Sequence, residues 1–150
     1  MTALTSGAAH SCDDDAFDRH LANTDIIRNG AKIATIRDNA VLLLELREQG
    51  GVGKVLGDWS STDFIGLLDM LKTRGSRLGG TTGTYAMRSM GRDSFILSSD
   101  VNGRLIAEGV IDKPATSKTA MRAVQGAFNT WMEQSRRGLS EISRVLAMSL

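Results

Sequence analysis

Apolar residues recur every three or four positions along most of this chain, and glycine, far more often than proline, stands where a recurrence stops. That period turns one side of a helix to a core, whereas a half-buried strand would alternate. Runs of β-branched residues are few, which removes the usual material of a sheet. With 41% apolar residues in 150 there is enough for one modest core. The chain therefore reads as an all-α single domain over 1–150, with about six helices and a helix-hairpin-helix at 62–91.

The pattern predicts a weakly apolar helix over 11–23, with Phe17 and Leu21 four apart and aspartates at its positive end. A stronger helix follows over 30–49, with Ile33, Ile36, Ala40, Leu43 and Leu44 as its apolar face and Gly50-Gly51 as its stop. "GGVGKVLGDW" reads as a loop. Its Gly-x-Gly before Lys54 lacks phosphate-loop spacing and follows a helix, not a strand. Ser61 or Thr62 is expected to cap a helix carrying Phe64, Leu67, Leu68 and Leu71, which Gly75 ends. Thr81 or Thr82 is expected to cap the next, running to about Gly91 with Tyr85, Met87 and Met90 inward. "RDSFILSSD" reads as an apolar turn, with Asp100 at the N-cap of "VNGRLIAEGV". The last two helices span 117–134, with Met121, Val124, Phe128 and Trp131 on one face, and run from about Ser140, with Ile142, Val145, Leu146 and Leu150 inward.

Net charge is +1, but it is segregated: residues 1–71 carry −5 and residues 72–150 carry +6. A basic half suits a phosphate backbone and equally suits a solvated helical face. The single cysteine, Cys12, excludes an internal disulfide. No apolar run approaches the ~20 residues of a membrane span, and the N-terminus lacks the basic and apolar regions of a secretory signal. These features point to the cytoplasm and away from membranes.

The basic half opens at "KTRGSRLGGTTGTYAMRSMG", two short helices joined by a glycine-tipped hairpin. Such a tip offers unpaired backbone N–H groups to a polyanion, with no side chain to hold a phosphate away. An ordinary left-handed turn between helices accounts for Gly79 and Gly80 as well. "RLGGTTGTYAMRSMG" followed by "FILSSD" resembles the helix-hairpin-helix DNA glycosylases. "IIRNGAKIATIRDNA" from Ile26 and "GGTTGTY" from Gly79, in that order and separation, resemble the 3-methyladenine DNA glycosylase I family. The likeness covers 24–100. The family's members have a further stretch before the segment matching Asp14, which supplies the other wall of the base pocket.

The resemblance implies a bacterial, nucleoid-associated repair enzyme that binds duplex DNA, flips out an alkylated base such as 3-methyladenine and hydrolyses its N-glycosidic bond. Arg77, Leu78, Gly79, Gly80, Thr81, Thr82 and Gly83 would meet DNA, with Leu78 packing between the hairpin helices. Asp100 would stabilise the oxocarbenium-like sugar or act as general base, although an aspartate after two serines is also a routine cap. Trp59 and Tyr85 would face the cationic base, and Trp131 fits the core. Thr84 stands where strand-nicking relatives have a lysine, which implies a monofunctional hydrolase without cofactor. The family's zinc ligands have no counterpart, since Cys12, His10 and His20 all precede the likeness, so no metal is expected. An uncovered apolar surface would favour self-association. A duplex-binding module without turnover, and a helical interaction protein with coincidental glycines, are the competing readings.

Overall fold

The computed structural model describes residues 14–149. His10, Cys12, Leu150 and the start of the helix expected from residue 11 lie outside the described residues. Every regular element among them is helical: α1 (Asp14–Ala22), α2 (Gly30–Glu48), α3 (Val52–Gly57), α4 (Phe64–Arg74), α5 (Gly80–Ser89), α6 (Ser99–Ala107), α7 (Lys118–Ser135) and α8 (Leu139–Ala147), with a 3₁₀ turn at Ser61–Asp63. Eight helices thus stand where about six were expected. The clear addition is α3, in the segment read as a loop. Gly53 and Gly57 each lower helix propensity by about 1 kcal/mol, and that masked a helix whose Leu56 is buried in the core and whose Val52 packs on it.

Several helix starts also differ from those expected. Ser60 caps the 3₁₀ turn that precedes α4, accepting from the Thr62 amide at 3.2 Å. Gly79 holds the N-cap position of α5, so Thr81 and Thr82 lie inside its first turn. Ser98 caps α6 through the Val101 amide at 3.3 Å, which places Asp100 in the first turn and not at the cap. First-turn residues that face solvent carry no apolar signal, so each helix begins before its periodicity does.

One cluster of buried side chains joins α2 to α8. Its centre is aromatic: Phe64 meets Phe95 edge-on with centroids 5.0 Å apart, Phe95 lies 4.7 Å from Phe128, and Phe128 lies 5.7 Å from Trp131. On α7, Val124 and Phe128 are buried as expected, with Met121 and Trp131 against them. On α8, Ile142 and Leu146 are buried but Val145 is exposed. On α2 the buried residues are Ile33, Leu42 and Leu46, while Ile36, Leu43 and Leu44 of the expected apolar face are exposed. Tyr85 and Met90 also point outward, leaving Met87 as the deeply buried residue of α5's C-terminal half.

Phe95 belongs to residues 92–98, which are not helical yet reach the middle of the core. Helix α8 supplies partners for part of their backbone. Ser140 Oγ accepts from the Ser94 amide at 3.1 Å and donates to the Ser94 carbonyl at 3.1 Å. Ser143 Oγ accepts from the Ile96 amide at 3.0 Å and donates back to its carbonyl. Asp93 in turn caps α8, accepting from the Leu139 and Ser140 amides at 2.8 Å each. Burial alone would raise the Asp93 carboxyl, but the Ser140 and Leu139 amides, the Ser140 hydroxyl and the Arg92 charge outweigh it and hold the group below the ordinary carboxylate value.

A depressed carboxylate adds stability that is present above its unfolded value of ~3.9 and lost as pH falls through the folded value. Asp93→Asn is therefore expected to destabilise the protein near neutrality, with the gap to wild type closing below about pH 4. Urea unfolding across pH reads this out, and a gap of constant size would show that the carboxylate charge is idle. Phe95→Ala is expected to cost about 3–5 kcal/mol in the same assay.

Candidate nucleic-acid interface

Residues 75–79 join α4 to α5, and their geometry is set by close backbone approaches. At Gly75 a Cβ would lie 2.6 Å from the Leu71 carbonyl oxygen and 2.7 Å from Leu78 Cδ1, so only glycine fits. At Gly83 a Cβ would lie 2.5 Å from the Leu78 carbonyl oxygen, which lets α5 seat directly on the connection. Leu78 packs against the core between these two glycines. The connection is also tied to α2. Asn39 accepts from the Ser76 amide at 2.8 Å and donates to the Ser76 carbonyl at 3.0 Å, and Arg74 pairs with Glu45 at 2.9 Å.

Past the clamp, Arg77 takes φ 57 and Gly80 φ 58. The left-handed region suits glycine but costs arginine roughly 1–2 kcal/mol, so Arg77 is held there by its neighbours. A Cβ at Gly80 would meet nothing within 4 Å, which leaves the backbone at the tip open. A Cβ at Gly79 would lie 3.2 Å from Lys72 Cγ, so the Lys72 stem runs beside the tip. No side chain caps α5, and the amides of Gly80, Thr81 and Thr82 find no acceptor among the described residues. Thr84 is buried and its hydroxyl donates to the Thr81 carbonyl at 2.8 Å. The result is a bare, dipole-positive helix start with the side chains of Lys72 and Arg77 exposed beside it.

The structure thus brings Arg77 to Gly83 together at one tip. The remaining candidates sit elsewhere. Asp100 is exposed in the first turn of α6, with the Ser99 hydroxyl 3.4 Å away. Helix α6 rests on α8, whereas the α4–α5 pair reaches α7 through α4. Tyr85 is 54% exposed on α5. Trp59 is half-buried, its indole N–H donating to the Asp63 carbonyl at 3.0 Å and its own carbonyl accepting from Arg92. A groove of about 350 Å³ between α3 and the end of α5 is lined by Leu56, Met87, Met90, Arg92 and their neighbours. None of Asp100, Tyr85 and Trp59 borders it.

Two residues of the tip escaped the sequence reading. Asn39 lies within "IIRNGAKIATIRDNA", but its partner Ser76 is 37 residues away and no local signal joins them. Lys72 opens the basic half, and only the closeness of Gly79 shows that its stem runs beside the tip. Compared with protein-family models, curated proteins and solved structures, the chain matches none.

Removing the Asn39 clamp leaves a part-buried amide and carbonyl of Ser76 to find other partners, at a cost of about 1–3 kcal/mol. Asn39→Ala is expected to speed amide hydrogen exchange at Ser76 and in α5 past its unpaired first turn (84–89), well beyond its effect on the α7 and α8 amides. Uniform acceleration along the chain would mean that Asn39 stabilises the fold generally and not the tip.

Proposed function

We propose that this chain acts in DNA repair as a monofunctional glycosylase for alkylated bases, of the 3-methyladenine type it resembles, and that its own surface holds duplex backbone at the α4–α5 tip. One observation carries the reading: three amides without an acceptor at the start of α5, the first on the open Gly80, with the Lys72 stem beside Gly79 and the exposed Arg77 just before it. A phosphate placed there accepts from the amides and meets the positive end of the helix dipole, with no side chain in between. Contacts of this kind position a protein on DNA and carry no sequence information. The left-handed Arg77 supports the same reading, since backbone strain of this sort gathers at binding sites.

In this reading Asp100 supplies the negative charge that supports the sugar cation once the base is flipped. No amine replaces Thr84, so water and not the protein takes the sugar carbon. The second reading, a duplex-binding module without turnover, draws on the exposed position of Asp100 and on a groove that none of Asp100, Tyr85 and Trp59 borders.

Duplex affinity is expected to be independent of sequence and to fall linearly in log–log form with salt. Gly80→Val should weaken binding to all duplexes by about tenfold or more, because a β-branched residue resists the left-handed conformation and covers the tip. Arg77→Ala should lower the salt slope by about one. Undiminished low-salt affinity in the Gly80 variant would place the contact elsewhere.

Turnover is read separately, as release of 3-methyladenine or 7-methylguanine from methylated duplex. Asp100→Asn is expected to keep binding while base release falls by at least ~10²-fold. Binding without any release by wild type would select the second reading, and full release by the Asn variant would reduce Asp100 to a first-turn residue of α6.

A further inference from the structure

Helix α2 is apolar on two sides, and past Ile33, which is buried on the second of them, only one is covered among the described residues. At about 100° per residue, Leu42, Leu46 and Asn39 share an arc of about 60° and face the rest of the chain, where the first two are buried and the third holds the hairpin. Leu43, Ile36, Ala40 and Leu44 share another arc of about 100°, and there Leu43 is 48%, Ile36 49% and Leu44 39% exposed. Arg37, Val41 and Glu48 run along one border of this second arc, with Val41 46% exposed. A nineteen-residue helix with Ile36, Leu43 and Leu44 turned outward is costly in water unless something covers them.

We propose that this face pairs with the same face of a second copy of the chain, the two α2 helices lying antiparallel about a two-fold axis level with Leu42 and Leu43. Charge selects this occupant and this direction. Arg37 and Glu48 sit on the same border, one in the N-terminal half of the helix and one at its C-terminal end. Antiparallel crossing sets Arg37 of each copy beside Glu48 of the other, so the match is made twice by one symmetric contact. A parallel two-fold crossing would put the two copies' borders on opposite rims and leave Arg37 and Glu48 without each other. Ala40 lies near the crossing and lets the helices approach closely. Arg47, at the end of the apolar arc, lays its stem along Ile36 of the other copy and carries its charge to the rim. Ile36, Leu43 and Leu44, each 39–49% exposed on one arc, form the kind of apolar patch that marks an interface. This inference does not rest on the DNA reading, because the α5 tip and the exposed arc of α2 are separate surfaces.

Sedimentation velocity of the full chain over about 1–100 µM, where a small reversible interface dissociates, tests it. The expected result is a monomer–dimer equilibrium that Leu43→Asp abolishes without loss of helical circular dichroism. Arg37→Glu should weaken the dimer at least tenfold, and Arg37→Glu combined with Glu48→Arg should restore it. The charge swap carries the test even if Leu43→Asp fails to fold. A monomer at every concentration overturns the proposal and leaves the face to a different partner. A dimer indifferent to Leu43→Asp places the interface elsewhere, and one weakened by Arg37→Glu but not restored by the swap rules out the antiparallel pairing.

Discussion

Residues 92–98 reach the centre of the molecule without regular structure, and a backbone in that position must be given hydrogen-bond partners by side chains. Helix α8 provides them through Ser140 and Ser143, and the segment returns the service by capping α8 with Asp93. The same seven residues deliver Phe95 between Phe64 and Phe128, so α4, α7 and α8 all take their positions from one irregular stretch. Its two ends are held as well: Arg88 of α5 reaches Ser94, and Asn102 of α6 donates to the Leu97 and Ser98 carbonyls at 3.0 Å each. Gln125 of α7 does comparable work at the start of α4, accepting from the Ile65 amide and donating to the Ser61 carbonyl.

With α4 fixed in this way, the α4–α5 tip becomes a rigid feature. Glycines at 75 and 83 allow the close approach, Leu78 plugs it into the core, and Asn39 clamps it from α2. Arg77 is thereby held in a conformation it would not choose, and the α5 amides are aimed outward with nothing to accept from them. Order of this kind lowers what a bound phosphate must still pay in conformational entropy.

The helical class was legible because Val124, Phe128 and their neighbours repeat at a helical period and each long helix carries such a stripe. The break between α4 and α5 was legible for a different reason: two adjacent glycines between amphipathic stretches, with arginines on both sides. What escaped was set by distant partners. Ile36, Leu43 and Leu44 made the most regular apolar arc of α2, yet the chain buries Leu42 and Leu46, because a helix apolar on two sides does not say which one faces in. Helix α3 was hidden by its glycines, whose poor propensity is overridden by the packing of Val52 and Leu56. Ser140, Ser143 and Gln125 look like ordinary polar residues, and their pairings to 94, 96 and 61 span 46 to 64 residues. The sites of Asp100, Trp59 and Tyr85 depend on how whole helices are arranged, which spacing along the chain does not encode.

The claim on which the functional account turns is that the start of α5 is where a duplex phosphate sits. Amide chemical shifts during titration of the full chain with a short duplex at low salt report on it directly, one residue at a time. The account requires the largest and earliest changes at the Gly80, Thr81 and Thr82 amides, with the outward face of α2 unmoved. Unchanged shifts at those three amides, with the largest changes instead in the groove between α3 and the end of α5, would contradict it.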